Sequence, residues 1–416
     1  MERAELSRLL GRWRSRPQGL AGREPVLVSA FGFEPFMTAL ADAVSGDVEV
    51  FLCDPNWGEQ ELAQVELQLQ LAQAATRPAL SGHGWLMIPT GGTSGALKFA
   101  RHDQGTIEAA VLGFVQHFSL RQVNAVGVLP LHHVSGLMAC LRCVLTGGEY
   151  LPADWKKIEA GDLPELPAKP DGWVISLVPT QLERLLRQEA AVTWLRNFRI
   201  IFLGGAAAWP DLLDRAAAAR LPLSPGYGMT ETAAMVTGLR PAEFLAGARD
   251  NGAALPHARV TVNGEDTVLV AGTSLFRGYY PYWGGETAFT TGDLGRVDEH
   301  GHLTILGRRD GVIISGGEKI QPAEVEAVLR ATGEFDDVVV LGLPDPEWGQ
   351  AVVAAYPATR EPDLAKVNQA VRAQLSAYKQ PKQFLPVGGW PVSAAGKTRR
   401  GEVSRLVLAR LKSAAR

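Results

Sequence analysis

The segment Ser224-Pro-Gly-Tyr-Gly-Met-Thr-Glu-Thr232 brings glycines, an aromatic ring, hydroxyls and a carboxylate together within nine residues. Two glycines flank Tyr227, whose ring is able to stack on a base, and the Thr230 hydroxyl and the Glu231 carboxylate follow. A carboxylate beside a nucleotide phosphate is most simply explained by a bridging Mg²⁺. The structural alternative is a glycine turn into a helix, with Thr230 as the N-cap and Glu231 in the first turn.

Short apolar runs alternate with helical patterns on the N-terminal side of this segment. The runs typical of strands are Val26–Ser29, Gly84–Ile88, Ala125–Leu129, Val174–Val178 and Ile200–Leu203, and the helical patterns include Glu61–Ala75, Gln181–Gln188 and Asp211–Ala219. This alternation predicts α/β layers with largely parallel sheets.

The pattern changes on the C-terminal side of the segment. From about Arg259, short strands and turns follow one another, with hairpin signals at Asn263-Gly264 and at residues 299–301. After Asp310, a β-α-β-β-α pattern predicts a compact last domain of about a hundred residues. We therefore expect one domain at residues 1–309 and a second at residues 310–416.

Composition excludes several classes of protein. The 416 residues carry a formal net charge of −3, with 46% hydrophobic and 20% charged residues, which is ordinary for a globular protein. The near-neutral balance argues against a dedicated nucleic-acid binder. No apolar run reaches the roughly 18 residues of a membrane span, and no signal-peptide core follows the basic N-terminus. These features predict a cytoplasmic protein without an integral membrane segment, and they leave a homo-oligomeric state open.

Three cysteines are too few for a disulfide framework, and their number is odd. Cys140 and Cys143 form a C-x-x-C pair that a zinc or redox site also uses, but no second pair completes a set of ligands. A buried helix in which cysteine acts as a small apolar residue is the favoured interpretation.

Two further loops carry groups suited to phosphate or sugar. The loop from Thr90 to Lys98 combines glycines, hydroxyls and a terminal lysine, which together bind phosphates, although it lacks the Walker A spacing. In Thr291-Gly-Asp293, the aspartate is able to accept hydrogen bonds from a ribose, to which Arg308 is able to donate. Separately, each loop is equally well explained as a surface turn.

A lysine close to the C-terminus completes the set of motifs. Lys397 ends the small-residue stretch that begins at Pro391. A lysine in such a loop is most often solvated, but a mobile lysine is also able to bring positive charge to a phosphoryl-transfer transition state.

The motifs in this order resemble those of the acyl-adenylate-forming superfamily, which includes acyl-CoA synthetases, luciferases and the adenylation domains of peptide synthetases. The resemblance extends from about Gly84 to Lys397 and includes the segments Thr267–Tyr280 and Gly307–Glu326. Within the superfamily, Leu129–Gly136 and Ser176–Leu186 are similar to o-succinylbenzoate–CoA ligases of menaquinone and phylloquinone biosynthesis.

The resemblance implies a fold and an activity. The fold is a large N-terminal part made of α/β subdomains and a distorted β-barrel, followed by a small mobile α+β domain. The implied activity is adenylation of a carboxylate by ATP with Mg²⁺, followed by transfer of the acyl group to coenzyme A. In this family the small domain rotates between the two half-reactions, about a hinge near Asp310.

The resemblance also assigns roles to individual residues. The ATP phosphates would be held by Thr90, Gly91, Gly92, Thr93, Ser94, Gly95 and Lys98, and adenine and the α-phosphate by Gly226, Tyr227, Gly228, Met229 and Thr230. Asp293 and Arg308 would bind the ribose. Glu231 would hold Mg²⁺, and Lys397 would act with Glu231 and Thr230 in catalysis.

The acyl substrate is expected to contact a second group of residues, namely His133, Ser135, Thr180, Gln181, Gly204 and Gly205. For His133, a satisfied core histidine is an equally good interpretation. A substrate with two carboxylates needs a polar or basic partner for the one that is not activated, and no motif identifies that partner. Coenzyme A phosphates are expected near Lys379, Lys382, Arg399 and Arg400, unless these residues form an ordinary solvated face.

The chain departs from the superfamily pattern in its phosphate loop and in its length, as well as in the glycine-rich stretch from Gly204 to Pro210 and at Gly311, where a second acidic residue often follows the hinge. Gly91 and Leu97 replace a hydroxyl residue and a proline of the phosphate loop, which predicts a looser hold on phosphate. The loop also begins near residue 90, which is early for the superfamily and predicts a trimmed first subdomain.

Other functions remain open from the sequence. Another acyl- or aryl-CoA ligase, or an adenylation enzyme that loads a carrier protein, would share these motifs. A more remote alternative is a nucleotide-binding protein that has lost catalysis, although such a protein would not need Lys397 and Glu231.

Overall fold

The computed structural model of the chain describes residues 9–15, 24–46, 48–74, 84–91, 97–284, 287–393 and 396–414. The strands are β1 (Val26–Val28), β2 (Val50–Leu52), β3 (Leu86–Gly91), β4 (Leu97–His102), β5 (Ala125–Gly127), β6 (Tyr150–Pro152), β7 (Val174–Leu177), β8 (Ile200–Leu203), β9 (Leu223–Met229), β10 (Ala234–Gly238), β11 (Ala253–Ala254), β12 (Ala258–Val262), β13 (Thr267–Gly272), β14 (Ala288–Val297), β15 (Leu303–Arg308), β16 (Ile313–Ser315), β17 (Glu318–Ile320), β18 (Val339–Asp345), β19 (Gly349–Pro357) and β20 (Gln383–Val387).

Helices connect and cover these strands. They are α1 (Phe33–Val44), α2 (Glu59–Ala74), α3 (Gln104–His117), α4 (Val134–Thr146), α5 (Trp155–Glu159), α6 (Pro179–Leu186), α7 (Glu189–Leu195), α8 (Pro210–Ala218), α9 (Pro241–Leu245), α10 (Pro322–Ala331), α11 (Leu364–Gln374) and α12 (Arg400–Ala414), with short 3₁₀ helices at Thr230–Thr232 and Ala377–Lys379. Residues 9–14 are also helical. Across the described residues, no helix combines the length and the apolar character that a membrane crossing requires.

A seven-stranded sheet forms the centre of the N-terminal part, in the order β11-β10-β9-β8-β7-β5-β6. Five adjacent strands, β9, β8, β7, β5 and β6, run parallel, and β10 and β11 are antiparallel to their neighbours. All four residues of β8 are buried, as expected for a parallel strand with both faces covered. The chain goes from β5 to one neighbour, β6, and then continues on the other side with β7. In such sheets, ligands bind outside the carboxyl ends of the strands at this reversal of strand order.

Two four-stranded sheets complete the N-terminal part. In the first, β1, β2 and β3 are parallel and β4 returns antiparallel to β3. In the second, β12 to β15 form an antiparallel meander, with the first turn fixed by Asn263, whose Oδ1 accepts the backbone N–H groups of Glu265 and Thr267 at 3.0 Å. This meander is the β-rich region that the sequence predicted from about Arg259.

The C-terminal part has its own core. Strands β18 and β19 are antiparallel and β20 joins β19 in parallel, while β16 and β17 form a separate hairpin. Helices α10 and α11 pack on one side of this sheet, around Val325, Val367 and Val371. The expected division at residue 310 falls in the turn between β15 and β16, and it stays a prediction.

The predicted strands and helices of the N-terminal half are present, with ends shifted by up to three residues. The mixed α/β fold class is confirmed. Cys140 and Cys143 lie in α4 as free, buried thiols, in agreement with the buried-helix interpretation.

His102 joins three parts of the N-terminal region. It ends β4, it is completely buried, and its Nε2 lies 2.8 Å from the carbonyl oxygen of Thr230 while its Nδ1 lies 3.0 Å from the Thr106 hydroxyl in α3. Because a carbonyl only accepts, Nε2 carries the hydrogen and Nδ1 accepts from the hydroxyl. Burial lowers the pKa of His102 to about 4, so the ring is neutral at pH 7.

We predict that acid weakens the fold through this histidine. The unfolded chain takes up the proton near pH 6.5 but the folded chain only near pH 4, so stability falls as the pH falls through this interval. His102 alone should account for a loss of about 2 kcal/mol between pH 7 and pH 5. Thermal unfolding at both pH values should therefore show a smaller acid-induced loss in His102→Gln than in the wild type. His300→Gln, at an exposed turn, is the control, and an equal loss in wild type and His102→Gln would contradict the assignment.

Candidate active site

The carboxyl edge of the seven-stranded sheet gathers most of the residues that the sequence singled out. His133 follows β5, Thr180 and Gln181 follow β7, Gly204 and Gly205 follow β8, and Gly226, Tyr227, Gly228 and Met229 end β9 just before Thr230 and Glu231. Parallel strands bring their carboxyl ends to one edge, so residues separated by up to a hundred positions become neighbours. This edge is the candidate active site.

One corner of the site joins two motifs through side chains. The hydroxyl of Tyr227 donates to Asp293 Oδ2 at 2.6 Å, and Arg308 Nη1 lies 3.3 Å from Asp293 Oδ1. Burial and the Asp293 charge raise the pKa of Tyr227, which keeps the phenol protonated. A Cβ on Gly292 would lie 2.5 Å from the Arg308 guanidinium, so a side chain at residue 292 would displace this arginine from Asp293.

A second corner is formed around Glu231, which is buried. Its Oε1 accepts a hydrogen bond of 2.5 Å from the hydroxyl of Tyr279, and Lys98 Nζ lies 5.1 Å from the centre of the Tyr279 ring. Burial and the neighbouring Glu231 raise the pKa of Tyr279. Sequence reasoning did not identify Tyr279 as a site residue, although it lies in the Thr267–Tyr280 segment that carried part of the resemblance.

The phosphate loop is described only at its two ends. Thr90 and Lys98 are paired across β3 and β4, and Gly91 ends β3 opposite Leu97. Gly92, Thr93, Ser94 and Gly95 lie outside the described residues. The exposed Lys98 therefore enters the site from the first sheet and reaches the Glu231 corner through Tyr279.

Lys397 reaches this edge from the C-terminal part. A Cβ placed on Gly205 would lie 2.8 Å from Lys397 Cε and 3.0 Å from Nζ, so the end of the lysine fills the space that a side chain at residue 205 would occupy. The neighbouring Gly396 accepts a hydrogen bond of 3.2 Å through its carbonyl oxygen from the Thr180 hydroxyl. Gly205 and Thr180, predicted to contact the acyl substrate, thus contact the loop that carries Lys397.

The environment of Lys397 is unusual for a lysine on an exposed loop. The residue as a whole is exposed, but its ammonium end lies against Gly205, and the loss of water there lowers the pKa of Lys397. No carboxylate of the described residues forms an ion pair with it. A lysine in this environment is able to form an ion pair with an anionic group of a ligand.

The residues predicted around the acyl group differ in how accessible they are. His133 and Ser135 are half-buried at the start of α4. Burial and the adjacent His132 lower the pKa of His133 to about 4, so its ring is neutral at pH 7. Gln181 is buried, and its Oε1 accepts the Val178 backbone N–H at 3.0 Å, which caps α6 and leaves only the amide nitrogen for a substrate.

Arg142 is a buried arginine that the sequence analysis missed. It lies in α4, about two turns beyond Ser135, and its guanidinium carbon sits 3.8 Å from the centre of the Phe114 ring. No ion pair or side-chain hydrogen bond joins it to another described residue, and its Nε is buried without a partner. Burial lowers its pKa to about 9, so it is cationic at pH 7. The sequence signal was an arginine within the apolar stretch MACLRCVL, where a charge is costly.

The cations proposed for coenzyme A have protein partners in this structure. Lys379 Nζ lies 2.6 Å from Glu324, Arg399 Nη1 lies 3.0 Å from Glu402, and Arg400 pairs with Glu326. Lys382 Nζ lies 5.0 Å from the centre of the Trp348 ring. Their role toward coenzyme A stays a prediction.

Comparison with known proteins gives matches to one family and to named relatives. The family described as AMP-binding enzyme matches residues 37–280, and its C-terminal domain matches residues 324–397. The chain is 34% identical over 284 residues to 2-succinylbenzoate–CoA ligase from Listeria monocytogenes, which covers 66% of this chain and 60% of the relative. The Staphylococcus epidermidis enzyme of the same name is 30% identical over 327 residues, covering 76% and 68%. The chain thus spans three-fifths of the Listeria relative.

Solved structures share the fold. The o-succinylbenzoate CoA synthetase of Bacillus subtilis, in complex with its acyl-adenylate intermediate, superimposes with a TM-score of 0.76 at 21% identity, covering 96% of this chain and 91% of that one. ATP-bound MatB from Rhodopseudomonas palustris gives 0.75 at 22% identity, covering 97% and 92%. The matched family extends over more than half of the chain and agrees with the order of the motifs. The chain belongs to the AMP-binding enzyme family.

Proposed function

We propose that the chain is an AMP-forming acid–thiol ligase whose substrate is an aromatic dicarboxylate, with 2-succinylbenzoate as the best candidate. One carboxylate oxygen attacks the α-phosphorus of ATP, and the bond to pyrophosphate breaks. The thiolate of coenzyme A then attacks the acyl carbon. AMP leaves and keeps the carboxylate oxygen that had attacked its phosphorus. The names of the Listeria and Staphylococcus relatives support this substrate, which would place the chain in menaquinone or phylloquinone biosynthesis.

The position of Lys397 is the observation that carries the adenylation step. Attack of a carboxylate on a phosphate brings two anions together, and a cation fixed at that point stabilises the charge that grows in the transition state. The Lys397 ammonium lies against Gly205, beside the carboxyl ends of β7, β8 and β9, with no acidic partner among the described residues. We assign it to the contact between the acyl carboxylate and the α-phosphate.

The residues around Glu231 fit a Mg²⁺ ion bound with ATP. One carboxylate oxygen accepts from Tyr279, and the other makes no hydrogen bond to any described residue, which leaves it available as an oxygen ligand. Bound Mg²⁺ would neutralise phosphate charge. Lys98 beside Tyr279 would add positive charge from the phosphate loop. Asp293, already oriented by Tyr227 and Arg308, would accept the ribose hydroxyls.

Arg142 supports a substrate with a second negative charge. A buried guanidinium without a carboxylate partner is costly, and a ligand carboxylate would remove that cost. Arg142 and the activated carboxylate would then lie at opposite ends of the acyl group, with His133 and Ser135 between them on the first turn of α4. This arrangement names a partner for the carboxylate that is not activated.

Two further expectations belong to the same proposal. We expect the enzyme to act in the cytoplasm, because its co-substrates ATP and coenzyme A are found there and its three cysteines are free thiols. Self-association is compatible with this activity and stays a prediction.

The substrate is tested by ATP–pyrophosphate exchange with a panel of carboxylic acids, followed by a thioester assay with coenzyme A. We expect exchange with 2-succinylbenzoate, and a KM for this acid that rises about thirtyfold or more in Arg142→Met, because a buried charge pair loses one member. The melting temperature of Arg142→Met without substrate should equal or exceed that of the wild type, since an uncompensated buried charge is removed.

Arg199→Met serves as the matched control, because Arg199 lies at the amino end of β8 and pairs with Asp171. Its KM should stay at the wild-type value. Exchange with medium-chain fatty acids but not with 2-succinylbenzoate would overturn the substrate. Thioester formation on a phosphopantetheinyl carrier but not on coenzyme A would overturn the acceptor.

The role of Lys397 predicts that one half-reaction is lost selectively. Lys397→Ala should lower adenylation about a hundredfold or more, because it removes the charge that faces the α-phosphate. Thioester formation from a supplied acyl-adenylate should remain near the wild-type rate. Lys366→Ala, which removes another C-terminal lysine that pairs with Glu334, should leave both rates unchanged. Equal loss of both half-reactions in Lys397→Ala would contradict the assignment.

A further inference from the structure

Asp54, His132 and His133 form a compact cluster beside the acyl side of the site. One ligand atom from each residue lies within 4.8 Å of the other two. Asp54 follows β2 in the first sheet, and the two histidines follow β5 in the seven-stranded sheet. The cluster therefore bridges the two sheets, and only His133 has a role in the proposed ligase reaction.

Asp54 and His132 lie at ion-pair distance, but no directed hydrogen bond joins them. Asp54 Oδ1 accepts from the backbone N–H and the side-chain amide of Asn56, both at 2.9 Å, which leaves Oδ2 facing His132. His132 Nε2 lies 3.4 Å from that oxygen and is buried without a hydrogen-bond partner among the described residues. Asp54 and His132 are only 7% and 6% exposed, so water contributes little to either. Buried polar atoms in proteins normally have a hydrogen-bond partner or a bound ion, so the unpartnered His132 Nε2 indicates a missing partner.

The distance between Asp54 Oδ2 and His132 Nε2 is longer than the usual N–H···O hydrogen bond and fits two ligands of one metal ion. Two ligands at the usual Zn–N and Zn–O distances on a tetrahedral ion are separated by about 3.3 Å. The Oδ2–Nε2 distance of 3.4 Å matches this value. Two imidazoles and one carboxylate also form a common ligand set for zinc and related ions, whereas Mg²⁺ prefers oxygen ligands. The third ligand atom, from His133, lies within 4.8 Å of the ligand atoms of Asp54 and His132.

We propose that Asp54, His132 and His133 bind one divalent transition-metal ion of the zinc class, separate from the Mg²⁺ of ATP. The ion would have three protein ligands and one open position. It would draw His133 away from the acyl group and would compete electrostatically with Lys397, whose charge acts on His133. The positive charge of Arg399, like that of Lys397, lowers the pKa of His133.

The test is binding of Co²⁺ to the full chain, followed by visible absorption, which reports low-symmetry nitrogen and oxygen coordination without any activity assay. We expect one Co²⁺ per chain, displaced by Zn²⁺. Binding should weaken at least about tenfold in His132→Phe and in Asp54→Asn. Lys397→Ala should bind Co²⁺ more tightly than the wild type, since a nearby positive charge is removed.

His300→Phe is the matched control, because it removes an exposed histidine far from the cluster in sequence, and its binding should equal that of the wild type. Two results would overturn the proposal: no stoichiometric Co²⁺ binding by the wild type, or equal binding by the wild type, His132→Phe and Asp54→Asn. Asp54→Asn keeps the shape of the side chain, so it remains informative if His132→Phe is unstable. None of these readouts depends on ligase activity.

Discussion

The contact between Lys397 and Gly205 is the interaction on which the site depends. It joins a loop of the C-terminal part to the turn after β8, and the site is complete only when both are present. Gly205 has a φ of +80°, which favours glycine, and a Cβ there would displace the end of Lys397. Burial of the Lys397 ammonium lowers its pKa, and no carboxylate among the described residues pairs with it.

Arg142, the proposed partner of the second carboxylate, is a second cation that is removed from water. Arg142 is buried, and no carboxylate in the part of the chain that the structure describes pairs with it. Burial and the Arg142 charge lower the pKa of the neighbouring His257 to about 4. By contrast, the nucleotide side is internally satisfied, because Tyr227, Asp293 and Arg308 bind one another. In the proposed function, the two carboxylates of the substrate would pair with Lys397 and Arg142, for which no carboxylate partner exists among the described residues. The protein holds neutralised polar groups where a ribose would bind.

Local patterns in the sequence predicted the layers of the fold, because strand and helix periodicity and hairpin signals such as Asn263-Gly264 are encoded within a few residues. The residues expected at the carboxyl edge came instead from the resemblance to the acyl-adenylate-forming superfamily, and most of them follow strands directly. Tyr279 and Arg142 were missed because their roles depend on distant partners: Glu231 is 48 residues from Tyr279. Gln181 was predicted to bind substrate, but the cap of α6 already uses its oxygen. A glutamine three residues after the N-cap was the available signal.

In the proposed reaction, a carboxylate oxygen of the substrate attacks the α-phosphorus of ATP beside Lys397. This step is tested most directly with 2-succinylbenzoate labelled with ¹⁸O in the carboxylates, ATP and coenzyme A, and mass analysis of the products. Attack by the carboxylate oxygen should give AMP that carries one ¹⁸O atom, together with unlabelled pyrophosphate. Unlabelled AMP, or label in inorganic phosphate released with ADP, would contradict it.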